Sequence, residues 1–226
     1  MDPTSKGRSQ SRERSHLCDT HAEEVASFVT HGIGVALGVA ALVVMLIHSA
    51  VNGSAWDVLS SCIFCGSMIL VFLISTVYHV VTGPRAKEVM QILDRASIYL
   101  MIAGSYAPIT MGVLRGPTGW WLFGIAWFLA IVGITLTICC FEKFSKVGVV
   151  LYVVMGWMVM FVFGELLKLL PFVSIAFLVA GGICYTLGLI FFAWSRLKFN
   201  HSLWHVFVVA GSMCHFVAYM SAIPTK

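Results

Sequence analysis

Long apolar stretches alternate with short polar ones along almost the whole chain. Seven apolar runs can be drawn, at 26–48, 57–79, 95–113, 119–140, 148–164, 172–194 and 203–222. They are close to the roughly 20 residues that an α-helix needs to cross a bilayer. The breaks between them hold turn and charge signals: Asn52-Gly53-Ser54, Thr82-Gly83-Pro84-Arg85 and Gly116-Pro117-Thr118-Gly119. No break is long enough for a water-soluble domain. The pattern predicts an all-α integral membrane protein, a seven-transmembrane helix bundle over residues 23–226. Residues 1–22 are polar and rich in Ser and Arg, and they are expected to be a disordered cytoplasmic tail rather than a signal peptide.

Composition agrees with that pattern. The 226 residues are 59% hydrophobic and 11% charged, against about 25% charged in soluble domains. Mean hydropathy is +0.93. Charge then adds an orientation. With loops alternating sides, one side receives eleven of the 14 Lys and Arg residues, and the other only Arg115, Lys168 and Lys226. By the positive-inside rule the N-terminus is cytoplasmic and the C-terminus outside, in a cell membrane. An even number of spans would scramble this partition. The net charge of +4 points to anionic lipid head groups and not to nucleic acid. Six of the seven cysteines fall in apolar runs. Cys62 and Cys65 form a lone C-x-x-C, read as packing residues with no disulfide framework.

A few ionisable groups sit where the pattern is apolar, and such groups are costly at membrane depth. His201 and His205 stand four residues apart, which puts both on one helical face. His79 closes the second run and Asp94 opens the third. With alternating spans, all four groups reach the same depth near the cytoplasmic face. Three imidazoles with one open position make a catalytic zinc arrangement. Asp94 could bind the metal directly or stand behind it as a base acting through water. Ser75, one turn deeper than His79, is a candidate to hold a water or a substrate carbonyl, or only its own helix backbone. The glutamate of an H-E-x-x-H protease is missing, since Ser202 follows His201. His31 is expected to line the same vestibule or to pair with an acid. His215 is too far along its helix to share a metal and is expected to hydrogen-bond across helices, and His48 is expected at the outer interface. Gly34 with Gly38, and Gly181-Gly182 with Gly188, read as close helix contacts. Pro108 reads as a kink in span three.

Ser75-x-x-x-His79, Asp94 with Ile98-Tyr99-Leu100, Gly104-Ser105-Tyr106-Ala107-Pro108, Leu151-Tyr152-x-x-Met155-Gly156-Trp157, His201-Ser-Leu-Trp204-His205 and Gly211-x-x-x-His215-Phe216 carry a resemblance. So does Glu23-Glu24 with Thr30-His31-Gly32-x-Gly34. From about residue 22 onward the chain resembles bacterial hemolysin III proteins, the bacterial arm of the progestin and adipoQ receptors, with a more distant similarity to alkaline ceramidases. The resemblance implies seven helices with the N-terminus inside and zinc on His79, His201 and His205. It also implies that Asp94 reaches the metal through water, or directly, with Ser75 beside it. The chain differs from the animal receptors in having no folded cytoplasmic N-terminal region, which points away from a hormone-receptor role.

Two classes of function follow as expectations. One is zinc-dependent hydrolysis of a lipid amide or ester, with Asp94 and Ser75 catalytic and a lipid amide or free fatty acid held in the bundle. The other is non-catalytic: a regulator of membrane lipid and energetics homeostasis braced by structural zinc, or a haemolytic, pore-forming protein. The pore is the weaker, because no span has a continuous polar stripe.

Overall fold

The structure, a computed structural model, describes residues 20–223, apart from the side chains of Ser145 and Lys146. Most of the expected tail, up to residue 19, therefore lies outside the described residues. Helix α1 spans His21–Asn52. Its first turn is locked by a reciprocal cap. Thr20 Oγ1 accepts the Glu23 N–H and the Glu23 carboxylate accepts the Thr20 N–H, each at 3.2 Å. Helix α2 covers Ala55–Val80. Helix α3 covers Pro84–Ala107 and continues as a π-helical stretch, Pro108–Val113. Helix α4 is Pro117–Cys139 and α5 is Phe141–Trp157. A 3-10 turn at Met158–Val162 joins α5 to the short α6, Phe163–Leu169. Helices α7, Phe172–Ala193, and α8, Asn200–Ala222, complete the chain.

No strand occurs among the described residues. Seven helical stretches there are long and apolar enough to cross a membrane, with α5 and α6 sharing the fifth. The protein is a multi-pass membrane protein. Seven crossings among the described residues put the start of α1 and the end of α8 on opposite faces. On the face where α1 begins, α2 ends and α3 and α8 begin.

Most spans match the runs drawn from hydropathy to within a few residues, and the third does not. It starts at Pro84 rather than 95, so Asp94 sits in the third turn of α3 instead of the first. The cause is the amphipathic start of α3. Lys87, Gln91 and Asp94 recur at i, i+4 and i+7 and are all buried, so the polar stripe faces into the bundle. A hydropathy window reads those turns as loop. Span three is the most buried of the seven.

Helix α1 packs between α2 and α8, which in turn pack on α3 and α7. Small residues set these approaches. A Cβ on Gly34 would press on the Phe72 ring at 3.0 Å, and one on Gly38 would meet Ile69 at 2.9 Å. At Gly181 it would collide with the His215 ring and at Gly188 with Trp204. Gly182 is looser, in ordinary contact with Trp157. Pro108 lacks an N–H. The chain accommodates it by widening into π-helical turns, at the position where the sequence predicts a kink.

Candidate metal centre

His79 stands in the last turn of α2, and His201 and His205 in the first two turns of α8. The α8 start is set by Phe199, whose backbone is left-handed at φ 60°. That conformation costs a non-glycine residue about 1–2 kcal/mol. The Glu23 carboxylate of α1 holds it in place by accepting the Phe199 N–H at 2.6 Å.

All three histidines are buried. One nitrogen from each lies within 4.8 Å of the other two, so the trio can hold a metal ion. Ring centroids are 5.2 Å apart for His79 and His201, 5.0 Å for His79 and His205, and 4.3 Å for His201 and His205. Both nitrogens of His201 are buried without a hydrogen-bond partner among the described residues. A buried imidazole rarely leaves both nitrogens unsatisfied. The donor set of three imidazoles, chemically suited to zinc, fits such a group.

Helix α1 supplies none of these ligands but orients two of them. Glu24 Oε2 lies 2.6 Å from His79 Nδ1, which leaves Nε2 as the nitrogen facing the cluster. The other oxygen of Glu24 pairs with Lys87 Nζ at 2.9 Å. That ammonium also donates to the Tyr78 carbonyl at 2.8 Å and sits 4.2 Å above the Tyr78 ring. The Ser27 carbonyl stands 3.4 Å from His205 Nδ1, and the Ser27 and Ser202 hydroxyls are 2.9 Å apart. A carboxylate behind a ligating imidazole fixes its tautomer and raises its basicity. Sequence reasoning missed this role of α1. Its signal was present: Glu23, Ser27 and His31 recur every four residues on an otherwise apolar span. Glu24→Gln is expected to weaken metal binding about 10–100-fold without unfolding the bundle, as measured by competition with a chelator.

Asp94 is not part of the three-histidine cluster. It borders a cavity that reaches His205 and runs through the bundle between α2, α3, α5, α7 and α8. Ser75 borders the same end. Its hydroxyl is buried without a partner of good hydrogen-bond geometry, and it interacts with the Asp94 carboxyl. His31 is there too, stacked on His205 with centroids 3.5 Å apart and planes 9° from parallel. It lines the vestibule and has no acid partner, since neither nitrogen is hydrogen-bonded among the described residues. Of the three cluster histidines, only His205 reaches the cavity wall. The rest of the wall is mainly apolar, with Val71, Met101, Ile102, Leu178 and Val208 along it.

The remaining candidates are structural. His48 Nε2 lies 3.0 Å from the Ile223 carbonyl at the opposite face, and its other nitrogen 3.1 Å from Asn52 Nδ2. Cys65 is buried against Met45, 3.5 Å from its sulfur, while Cys62 is exposed. No cysteine joins a metal-competent cluster among the described residues.

The chain is similar to known proteins over most of its length. A sequence profile described as "Haemolysin-III related" matches residues 20–216. Hemolysin-3 of Bacillus cereus is 41% identical over 90% of this chain and 93% of its own length. A hemolysin-3 homolog of Bacillus subtilis is 41% identical over 87% of this chain and 92% of its own length. The monocyte to macrophage differentiation factor of Homo sapiens is 27% identical over 90% and 87%.

Proposed function

The chain belongs to the haemolysin-III-related family, and from that premise we propose that it is a zinc-dependent hydrolase of a lipid amide or ester. The observation that carries this reading is the joining of two things at one depth: a buried three-histidine cluster and the end of a long, mainly apolar cavity. His79, His201 and His205 would hold the zinc. When bound, the metal supplies Lewis acidity, lowering the pKa of a water toward about 7 and polarising an acyl carbonyl.

The other roles belong to the chain's own side chains. Asp94, at the cavity end and outside the ligand set, accepts the proton of the attacking water. The Ser75 hydroxyl, lacking a well-formed bond of its own, donates to the carbonyl oxygen. The apolar wall takes up the acyl chain and keeps bulk water from the reacting bond. Eleven of the 14 cationic side chains fall on one side, which supports a site near the cytoplasmic leaflet.

The second reading is a zinc brace without turnover, serving membrane homeostasis. It is favoured by the way the cluster joins α2 to α8, two helices far apart along the chain. A single assay separates the two: purified protein in vesicles doped with a ceramide and a phospholipid, with fatty acid release followed over time. Release that chelation stops and zinc restores supports the hydrolase. Zinc that binds and raises thermal stability, with no release from amide or ester, supports the brace.

A further inference from the structure

The buried polar atoms without partners that border the cavity fall at its two ends. His31 and Ser75 stand beside the metal centre, and His215 Nδ1 stands alone at the far end. His215 follows His205 by ten residues on α8, about 15 Å along the helix axis. Neighbouring polar groups at that end are already satisfied. The Tyr185 and Ser212 hydroxyls lie 3.0 Å apart. Tyr219 donates to the Ser105 carbonyl at 2.5 Å and Tyr106 to the Met155 carbonyl at 2.6 Å.

The ring of His215 is fixed rather than loose. It packs edge-to-face on Tyr185 at 5.3 Å and tilted on Tyr219 at 5.8 Å. Its Nε2 edge fills the space that the missing side chain of Gly181 leaves on α7, in reach of the Leu178 carbonyl. With the ring proton on that edge, Nδ1 is an acceptor on a cavity-lining residue and lacks a donor. An acceptor buried among apolar groups without a donor costs about 1–3 kcal/mol. A purely hydrocarbon ligand would leave that cost in place.

We propose that His215 is a specificity residue that accepts a hydrogen bond from a hydroxyl carried partway along the ligand's alkyl chain, about 15 Å beyond the group held at the metal centre. The inference rests on the reading of the cavity as a lipid site, and it narrows the substrate class from acyl lipids in general to those with a mid-chain hydroxyl.

The test uses the zinc-loaded protein in detergent and three probes: stearic acid, stearic acid hydroxylated on carbon twelve, and the methyl ether of that hydroxyl. In an extended chain this hydroxyl lies on the order of 14 Å from the carboxyl. Displacement of a fluorescent fatty acid gives the affinities. The hydroxylated probe is expected to bind about tenfold more tightly than stearic acid. The methyl ether, which accepts but cannot donate, is expected to gain nothing. His215→Phe keeps the ring and removes both nitrogens. It is expected to bind stearic acid as the wild type does and to lose the preference. Equal affinities for the hydroxylated and plain acids in the wild type would overturn the proposal alone, as would a preference kept by the ether or by the variant. Failure of all three probes to bind the wild type would overturn it together with the lipid-site reading.

Discussion

Asp94→Asn is expected to lower fatty acid release by about 10²–10⁴-fold, the usual worth of a positioned general base, while the protein still binds one metal per chain. The substitution keeps the shape of the side chain and removes only its ability to take a proton. Asp94 lies at the cavity end and outside the set of donor atoms that gather within 4.8 Å, so the metal is expected to stay. Its buried neighbours on α3, Lys87 and Gln91, lie on the same stripe, and Lys87 keeps its pairing with Glu24. Thermal stability in the zinc-loaded form is therefore expected to change little. Loss of metal in parallel with activity would make Asp94 a direct ligand instead.

The second large effect is expected from His205→Ala. His205 is at once a member of the cluster, the wall of the cavity and the partner of the His31 stack. Two histidines from α2 and α8 cannot make a closed zinc site alone, so the variant is expected to lose stoichiometric metal and turnover together. The wild type is expected to melt higher with zinc than after chelation. Binding at 1,000 times the dissociation constant adds about 4 kcal/mol. The variant's melting temperature is expected to be the same in zinc and in chelator. Differential scanning fluorimetry in both buffers checks this. A melting shift that persists in the variant would place the metal elsewhere.

The sequence revealed the crossing number and the three-histidine cluster because both depend on short-range regularities. Runs of about 20 apolar residues mark spans, and histidines interrupting them at helix ends are conspicuous. What stayed hidden depends on contacts between segments far apart. The polar turns around Lys87 and Gln91 looked like loop because their polar side chains turn inward, where Lys87 meets Glu24 on another helix. The supporting role of α1 was hidden for the same reason: Glu24 and Ser27 act on rings more than 50 residues away. Nothing local marks Phe199 as left-handed, since the conformation is held by Glu23 across the bundle. The expected interhelical contact of His215 is met at α7, but its partnerless Nδ1 beside the cavity becomes visible only once α7 and α8 are packed.

X-ray absorption at the zinc edge of the purified wild-type protein tests the three-histidine centre most directly. One zinc per chain with three imidazole nitrogens at about 2.0–2.1 Å is the expected result. A protein that takes up no zinc, or one whose zinc spectrum shows sulfur neighbours at about 2.3 Å, would contradict it.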